Sequence, residues 1–265
     1  MLALVAGQGG LPAILLAQVT GPVTVAALEG FPPEVDVDLI FRVEQLGSFL
    51  NELDTRGVDR VCFAGSLARP ALDPEAVDAA TLPYVERIIQ SLQKGDDGAL
   101  REVLSIFEER GFQVVAAHEV APALLPGTGV ATKQTPSVQD EKDAARAGQI
   151  LKATAEADIG QGCVVSHGQA LAVEALGGTD WMLETLANDR PKAAAPGGIF
   201  AKAPKPGQDR RVDLPVVGPD TVRAVARAGL NGLVIEAGGV MVLDWDNTVR
   251  LANEHELFLW VREAD

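Results

Sequence analysis

The sequence is poor in cysteine, aromatic residues and positive charge, and each shortage excludes a class of protein. The 265 residues include 2 cysteines, Cys62 and Cys163, and neither has a CxxC partner, which argues against a disulfide framework and a structural zinc site. Lys and Arg number 22 against 37 Asp and Glu, and the net charge of −15 argues against general binding to DNA or RNA. The opening MLALVAGQGGLP runs straight into glycines, so we expect no signal peptide, no transmembrane helix and a cytoplasmic protein.

The apolar content is high enough for a folded protein, at 47% of residues. At roughly 100–200 residues per domain, the length predicts two domains. The first half alternates short apolar runs with amphipathic segments, and this rhythm predicts a parallel sheet covered by helices. Predicted strands include Leu2–Ala6, Val23–Leu28, Val37–Phe41 and Asp59–Phe63, and predicted helices include Leu11–Gln18, Gln45–Leu53 and Gly98–Arg110.

A polar segment, Thr132–Ser137, divides the two halves and predicts a linker. Behind it we expect an Ala-rich helix over Asp140–Glu156 and a hairpin that turns at His167-Gly168. The predicted fold is α/β, with a Rossmann-like parallel-sheet domain over residues 1–131 and a second α/β domain over 136–265.

A glycine loop follows the first predicted strand and opens the first predicted helix. Backbone amides at Gly7, Gly9 and Gly10, together with the helix N-terminus, can bind a phosphate. The loop departs from the dinucleotide pattern because Pro12 stands where a third glycine is expected, although Glu29 falls where a ribose-binding carboxylate would sit. A tight turn without a ligand is the alternative interpretation.

The strongest anomaly in charge lies between residues 190 and 211. This span holds six basic residues and the single acid Asp209, in a chain that is otherwise strongly acidic. Such a segment can bind a phosphorylated ligand, since Lys and Arg supply the charge and donors that phosphate needs. A solvated surface loop is the alternative. The candidate substrate-binding residues here are Lys202, Lys205, Gln208 and Arg211.

Carboxylates within and near this span are candidate metal ligands. Asp209 and Asp213 stand four residues apart among cations, and oxygen ligands of this type suit Mg²⁺, with Mn²⁺ as an alternative. A turn-capping Asp213, or one paired with Arg211, is the competing interpretation. Glu174, at a predicted strand end, is a further candidate ligand, and Thr179 beside it is a candidate substrate contact or helix cap.

Several segments in order along nearly the whole chain resemble the LpxI family of UDP-2,3-diacylglucosamine pyrophosphatases of lipid A biosynthesis. The segments are AGQGGLP near the start, GDDGALREV at 95–103, GFQVVAAHEVAPALLPGTGVAT at 111–132, ADIGQGCVVSHGQALAVEALGGTDWML at 157–183, KPGQDRRVDLPVVGPDTV at 205–222 and GLVIEAGGVMVLD at 232–244. By this resemblance the essential aspartate falls in KPGQDRRVDLP, and we assign it to Asp209 ahead of Asp213. In the loop AGSLARP, Ala68 replaces a basic residue of the family pattern, which leaves Arg69 as the loop's cation.

The resemblance implies a ligand cleft between the two domains and Mg²⁺-dependent hydrolysis of UDP-2,3-diacylglucosamine. Water would attack the α-phosphorus and release UMP and 2,3-diacylglucosamine 1-phosphate (lipid X). The lipid partners imply transient contact with the inner-membrane surface, and a homodimer is a further expectation. From the residues alone, two alternatives stay open: a dinucleotide-dependent oxidoreductase or nucleotide-sugar enzyme, and a non-catalytic protein that binds a phosphorylated metabolite.

Overall fold

A computed structural model describes residues 1–67, 70–92 and 96–264, and the chain divides into two compact units. Unit 1 comprises Met1–Pro122 and Asp209–Val212, and unit 2 comprises Ala123–Gln208 and Asp213–Asp265. The sequence analysis assigns residues 123–131 to the first domain, whereas the structure groups them with unit 2. The reason is that Gly129–Val130 pairs with a strand of the unit 2 sheet.

Unit 1 contains a parallel sheet, as predicted from the alternating pattern. Across the described residues its strand order is β3-β2-β1-β4-β5, and every pair of neighbours is parallel. The fold class is therefore confirmed, and β1 lies where the strand order reverses direction. The strands are β1 Leu2–Ala6, β2 Val23–Leu28, β3 Leu39–Phe41, β4 Arg60–Ala64 and β5 Gln113–Val114; the helices are α1 Leu11–Gln18, α2 Leu46–Thr55, α3 Leu82–Leu92, α4 Asp96–Glu109 and α5 Ala117–Val120.

The core of unit 1 is built around Phe107 of α4, which is 1% exposed. Its ring meets Phe63 edge-on at a centroid distance of 5.3 Å, and Phe49 and Phe112 lie at 6.3 and 6.0 Å. Val212, from the separate segment of this unit, also packs against this core. The core therefore holds the end of the segment that contains Asp209.

Unit 2 contains a mixed sheet in the order β6-β13-β11-β9-β7-β8 among the described residues. β9, β11 and β13 are parallel, whereas β7 runs antiparallel to both β9 and β8. The strands are β6 Gly129–Val130, β7 Gly162–Ser166, β8 Gln169–Val173, β9 Ile199–Lys202, β10 Val216–Val217, β11 Gly232–Glu236, β12 Met241–Val242 and β13 Phe258–Arg262; the helices are α6 Val138–Glu156, α7 Gly178–Asn188, α8 Pro219–Arg227 and α9 Trp245–Glu254.

Helices cover both faces of the unit 2 sheet. Successive side chains of a strand point to opposite faces, and apolar side chains on both faces are buried here. Val164 and Phe200 share one cluster with α7, α8 and α9, whereas Cys163 and Ile199 share another with α6. The hairpin turn at His167-Gly168 is confirmed, and His167 takes a left-handed conformation with φ 50°. In the part of the chain that the structure describes, no helix is both long and apolar enough to cross a bilayer.

Candidate functional site

The glycine loop of unit 1 follows β1 and lies beside the loop that follows β4. Gln8 and Ser66 exchange two backbone hydrogen bonds of 2.9 Å, so the two loops are joined at the carboxyl ends of their strands. In open α/β sheets, the point where strand order reverses is the usual place for a ligand. The loop thus has the position expected for a binding site, and its backbone also serves to join two strands.

The three glycines of this loop have different surroundings. Gly7 is buried, and a Cβ atom there would lie 2.6 Å from the Ser66 carbonyl oxygen, so close backbone packing requires glycine at this position. Gly9 is exposed, with φ +93° and open space around it, and exposed Gly10 precedes α1. Gly9 and Gly10 are therefore the members of the loop that a ligand can reach.

Asp209, the residue that the resemblance singles out, lies in unit 1 and is held by Arg211. Arg211 Nη2 lies 2.7 Å from Asp209 Oδ2, and both the Nε and the backbone N of Arg211 donate to Oδ1 at 3.0 Å. These hydrogen bonds lower the pKa of Asp209 even though burial raises it. Arg211 also pairs with Glu108 of α4. Asp209 is therefore ionised and fixed in place within unit 1.

Asp213 belongs to unit 2 and makes a different set of contacts. Gln208 Nε2 donates to its carboxylate, and Gln208 Oε1 accepts from Gln161 Nε2 at 2.7 Å and from the Lys205 backbone N at 3.1 Å. Lys205 Nζ donates to Asp158 at 2.5 Å. Asp213 thus contacts Gln208, whereas Arg211 forms ion pairs with Asp209 and Glu108.

Glu174, Thr179 and Lys202 form one hydrogen-bonded chain in unit 2. Lys202, at the end of β9, donates to Thr179 Oγ1 at 2.7 Å, and Thr179 Oγ1 donates to Glu174 Oε2 at 2.8 Å. Lys202 Nζ lies 4.0 Å from the same carboxylate oxygen, and the two side chains are 9% and 13% exposed. Burial lowers the pKa of Lys202, and the Glu174 charge opposes that shift. The structure thus brings together three residues that the sequence analysis singled out separately.

The basic span 190–211 is divided among several structural roles. Arg190 donates to the carbonyl oxygens of Ala195 and Gly197, both at 2.6 Å, and to that of Ala228 at 3.2 Å, and so fixes its own loop. Ile199–Lys202 is a fully buried strand between β7 and β11. A solvated loop is therefore wrong for that part of the span.

The three predicted metal ligands already have protein partners. Asp209 contacts Arg211, Asp213 contacts Gln208, and Glu174 contacts Thr179. Among the described residues, no group of three or more His, Cys, Asp or Glu side chains is placed to hold a metal ion. One or two carboxylates combined with ligand phosphates are a common way to bind Mg²⁺.

One predicted residue, Arg69, lies outside the described residues. Several contacts of the other predicted residues have no signal in the sequence. Sequence reasoning missed Glu108, Asp158 and Gln161, which contact Arg211, Lys205 and Gln208 from 103, 47 and 47 residues away. A local sequence pattern does not predict contacts between residues this far apart in the chain.

The fold and these contacts define a class, an α/β protein of two units with a glycine loop at the reversal point of one sheet and charged side chains near strand ends of the other. Comparison with known proteins is more specific. Residues 1–124 match the model of the LpxI N-terminal domain, and residues 127–260 match that of the LpxI C-terminal domain. A protein of Caulobacter vibrioides named UDP-2,3-diacylglucosamine pyrophosphatase LpxI is 37% identical over 272 residues, covering 97% of this chain and 96% of that protein. The chain belongs to the LpxI family, which confirms the resemblance.

Proposed function

We propose that this protein hydrolyses UDP-2,3-diacylglucosamine to UMP and 2,3-diacylglucosamine 1-phosphate in lipid A biosynthesis. The observation that carries the proposal is the 37% identity over 97% of the chain to a relative named for that pyrophosphatase activity. Family membership over both halves favours this hydrolase over the oxidoreductase and the non-catalytic binding protein. Because the substrate is a lipid, the proposal includes transient contact of the protein with the cytoplasmic face of the inner membrane.

In this proposal Arg211 binds a phosphate oxygen of the substrate. Its guanidinium holds two carboxylates, Asp209 and Glu108, and a phosphate oxygen can replace one of them because guanidinium groups bind both kinds of anion. Replacement at Asp209 would release its carboxylate from the guanidinium beside a phosphate group. Asp209 is then the residue available to orient water or a cation at the diphosphate.

Lys202, Thr179 and Glu174 have a supporting role in the proposal. Lys202 supplies positive charge for the diphosphate, and Thr179 fixes the Lys202 ammonium through the 2.7 Å hydrogen bond. Glu174 balances the buried charge and so differs from its predicted role as a metal ligand. Lys205, Gln208, Gly9 and Gly10 are further proposed substrate contacts.

Mg²⁺ is part of the proposal, with Asp209 the first choice and Asp213 the second for a protein ligand. When bound, Mg²⁺ would neutralise the charge that develops on the phosphate oxygens. A single carboxylate together with substrate phosphates agrees with the absence of a three-carboxylate group among the described residues.

The reaction is tested with purified protein, UDP-2,3-diacylglucosamine and either Mg²⁺ or EDTA in ¹⁸O-labelled water. We expect UMP to form only with Mg²⁺ and to carry the label, because water attacks the α-phosphorus. Label in the sugar phosphate would show attack at the β-phosphorus and overturn the mechanism. Binding of the substrate without any UMP would favour a non-catalytic protein instead.

The role of Asp209 is tested by Asp209→Asn, with Asp220→Asn as the matched control, since Asp220 is an exposed aspartate that pairs with Arg223. We expect a loss of at least about 100-fold in kcat for Asp209→Asn, because the amide is a much weaker ligand for Mg²⁺ and a weaker acceptor for the attacking water than the carboxylate. The control and the folding of both variants should stay close to the parent. Parent-like kcat in Asp209→Asn, with Asp213→Asn inactive, would transfer the assignment to Asp213.

A further inference from the structure

A glutamine beside the unit 2 sheet, Gln161, contacts the residue that directly precedes Asp209 in the chain. Gln161 lies just before β7, and its backbone carbonyl oxygen accepts from the Ala203 backbone N at 3.0 Å, directly after β9. Its side chain donates from Nε2 to Gln208 Oε1 at 2.7 Å. The backbone of Gln161 is thus fixed beside the sheet, and its amide holds Gln208.

The two neighbours of Gln161 make its position rigid. Gly160 has a left-handed backbone with φ +53°, and a Cβ atom there would collide with the Glu174 carbonyl oxygen. On the other side, the Gly162 carbonyl oxygen accepts from the Glu174 backbone N at 2.8 Å. A side chain on so closely packed a backbone is well placed to orient a second side chain.

Gln208 ends a tight turn whose residues suit its shape. The Gln208 backbone N donates to the Lys205 carbonyl oxygen at 3.3 Å, and Gly207 has φ +78°. A type II turn favours proline at its second position and needs a positive φ at its third, and Pro206 and Gly207 meet these needs. The turn therefore sets the path of the backbone that leads into Asp209.

The partners of the Gln208 amide permit one orientation of that amide. The Lys205 backbone N can only donate, and it donates to Gln208 Oε1 at 3.1 Å. A carboxylate can only accept, and that of Asp213 accepts from Gln208 Nε2. The amide oxygen therefore faces Lys205, and Gln161 has to present a donor in order to share it.

These hydrogen bonds join the two ends of the segment that contains Asp209. Residues 209–212 belong to unit 1, whereas Gln208 and Asp213, on either side of them, belong to unit 2. The hydrogen bond from Gln208 to Asp213 thus connects the points where the chain leaves unit 2 and returns to it. Val212, at one end of the segment, packs against the unit 1 core. The other end follows Gln208, which its turn and its amide hold in place.

We propose that Gln161 is a positioning residue that acts through Gln208 to hold Asp209 in place for the reaction. The inference rests on the proposed function, in which Asp209 acts at the diphosphate. Gln161 itself touches no reacting group. Loss of its donor would leave the Gln208 amide with one partner fewer and give Asp209 more freedom. A catalytic group that is less well oriented lowers the rate of the chemical step more than it weakens binding.

The first test compares the parent with Gln161→Met, which keeps the length of the side chain and removes its donor. Gln149→Met is the matched control, because Gln149 is an exposed glutamine that contacts Arg146 of the same helix. Both variants are assayed at a temperature at which tryptophan fluorescence shows them to be folded. We expect kcat for UDP-2,3-diacylglucosamine to fall about tenfold in Gln161→Met, with KM within about twofold of the parent. A parent-like kcat would overturn the inference.

A double variant tests whether Gln161 acts through Gln208. In Gln208→Met the acceptor of the Gln161 amide is gone, so the addition of Gln161→Met should change kcat by less than about twofold. A further tenfold fall in the double variant would show that Gln161 acts by another route, and would overturn the inference.

Amide hydrogen exchange, measured by NMR, reports on the position of Asp209 without any reaction. The Arg211 backbone N donates to Asp209 Oδ1 at 3.0 Å, and the Val212 backbone N donates to the Asp209 carbonyl oxygen at 3.2 Å. We expect Gln161→Met to speed exchange at these two amides about threefold to tenfold, as the loss of one hydrogen bond allows, and Gln149→Met to leave it unchanged.

The exchange measurement separates the inference from the proposed function. If the parent does not hydrolyse UDP-2,3-diacylglucosamine but Gln161→Met speeds exchange at both amides, the proposed function fails and the positioning of Asp209 by Gln161 stands. If exchange at both amides is the same in the parent and in Gln161→Met, the inference is overturned, whatever the kinetics show.

Discussion

Thr179 joins two buried charges, and Thr179→Val removes the hydroxyl while nearly preserving the shape of the side chain. The variant deletes a 2.7 Å hydrogen bond from Lys202 and a 2.8 Å hydrogen bond to Glu174. Hydrogen bonds to charged groups are worth about 1.5–3 kcal/mol each, and the sum is therefore about 3–6 kcal/mol. The direct Lys202–Glu174 contact at 4.0 Å remains and offsets part of the loss. We expect unit 2 to lose about 2–4 kcal/mol of unfolding free energy.

Tryptophan fluorescence during urea unfolding is the assay for this prediction. The three tryptophans, Trp181, Trp245 and Trp260, all lie in unit 2, so the signal reports on that unit even if unit 1 unfolds separately. Thr185→Val is the matched control, because Thr185 is an exposed residue of the same helix.

A second variant separates the loss of the hydroxyl from a simple packing defect. Thr179→Ser restores the hydroxyl and should recover most of the lost stability, although it lacks the methyl group. A Thr179→Val transition within about 0.5 kcal/mol of the parent would refute the view that this hydroxyl joins the buried charges. A loss that Thr179→Ser fails to recover would refute it as well.

Three further predictions concern the glycine loop, the buried lysine and the cysteines. Gly7→Ala should destabilise unit 1 by about 1–3 kcal/mol in thermal unfolding, because the added Cβ would lie 2.6 Å from the Ser66 carbonyl oxygen. Gly127→Ala is the control and should stay within about 0.5 kcal/mol of the parent, because no atom lies within 4 Å of a Cβ at that position. Burial lowers the pKa of Lys202 in the folded protein below its ordinary value of 10.5. The unfolded chain therefore binds more protons between the two pKa values, and the free energy of unfolding should rise with pH across that range. Lys202→Met should lack this rise when urea unfolding is measured between about pH 7 and 10. Burial raises the pKa of both cysteine thiols to about 12, so iodoacetamide at pH 8 should alkylate them only after unfolding, and rapid alkylation of the native protein would contradict this.

Strands and helices with simple apolar patterns were predictable from the sequence, whereas one strand whose burial depends on its neighbours in the sheet was not. The bounds of Leu2–Ala6, Leu11–Gln18 and Val23–Leu28 agree with the structure, because apolar runs there end at Gly, Pro or polar residues. Ile199–Lys202 was missed because a short apolar run ends in a lysine and stands among glycines and prolines. Its burial on both faces follows from the neighbouring strands, which the local sequence does not reveal.

The candidate site was predictable as a set of residue types but not as a set of contacts. The sequence pattern singles out Asp209 and Asp213 together, yet the structure places them in separate units with separate partners. A spacing of four residues in an extended chain predicts a shared face, and the turn that ends in the Val212 N–H bond to the Asp209 carbonyl breaks that regularity. Pairings such as Glu108 with Arg211 depend on the folded chain and have no local signal.

The basic side chains of the span 190–211 are less available to a ligand than their number suggests, because carboxylates lie close to several of them. Lys202, Lys205 and Arg211 lie close to Glu174, Asp158 and Asp209, respectively. In the proposed function, a phosphate therefore meets cations that already have carboxylate partners, and binding would exchange one anion for another. The chain as a whole stays acidic and so repels an anionic ligand at long range. Recognition of such a ligand must then come from short-range hydrogen bonds and ion pairs and from contacts with its apolar part.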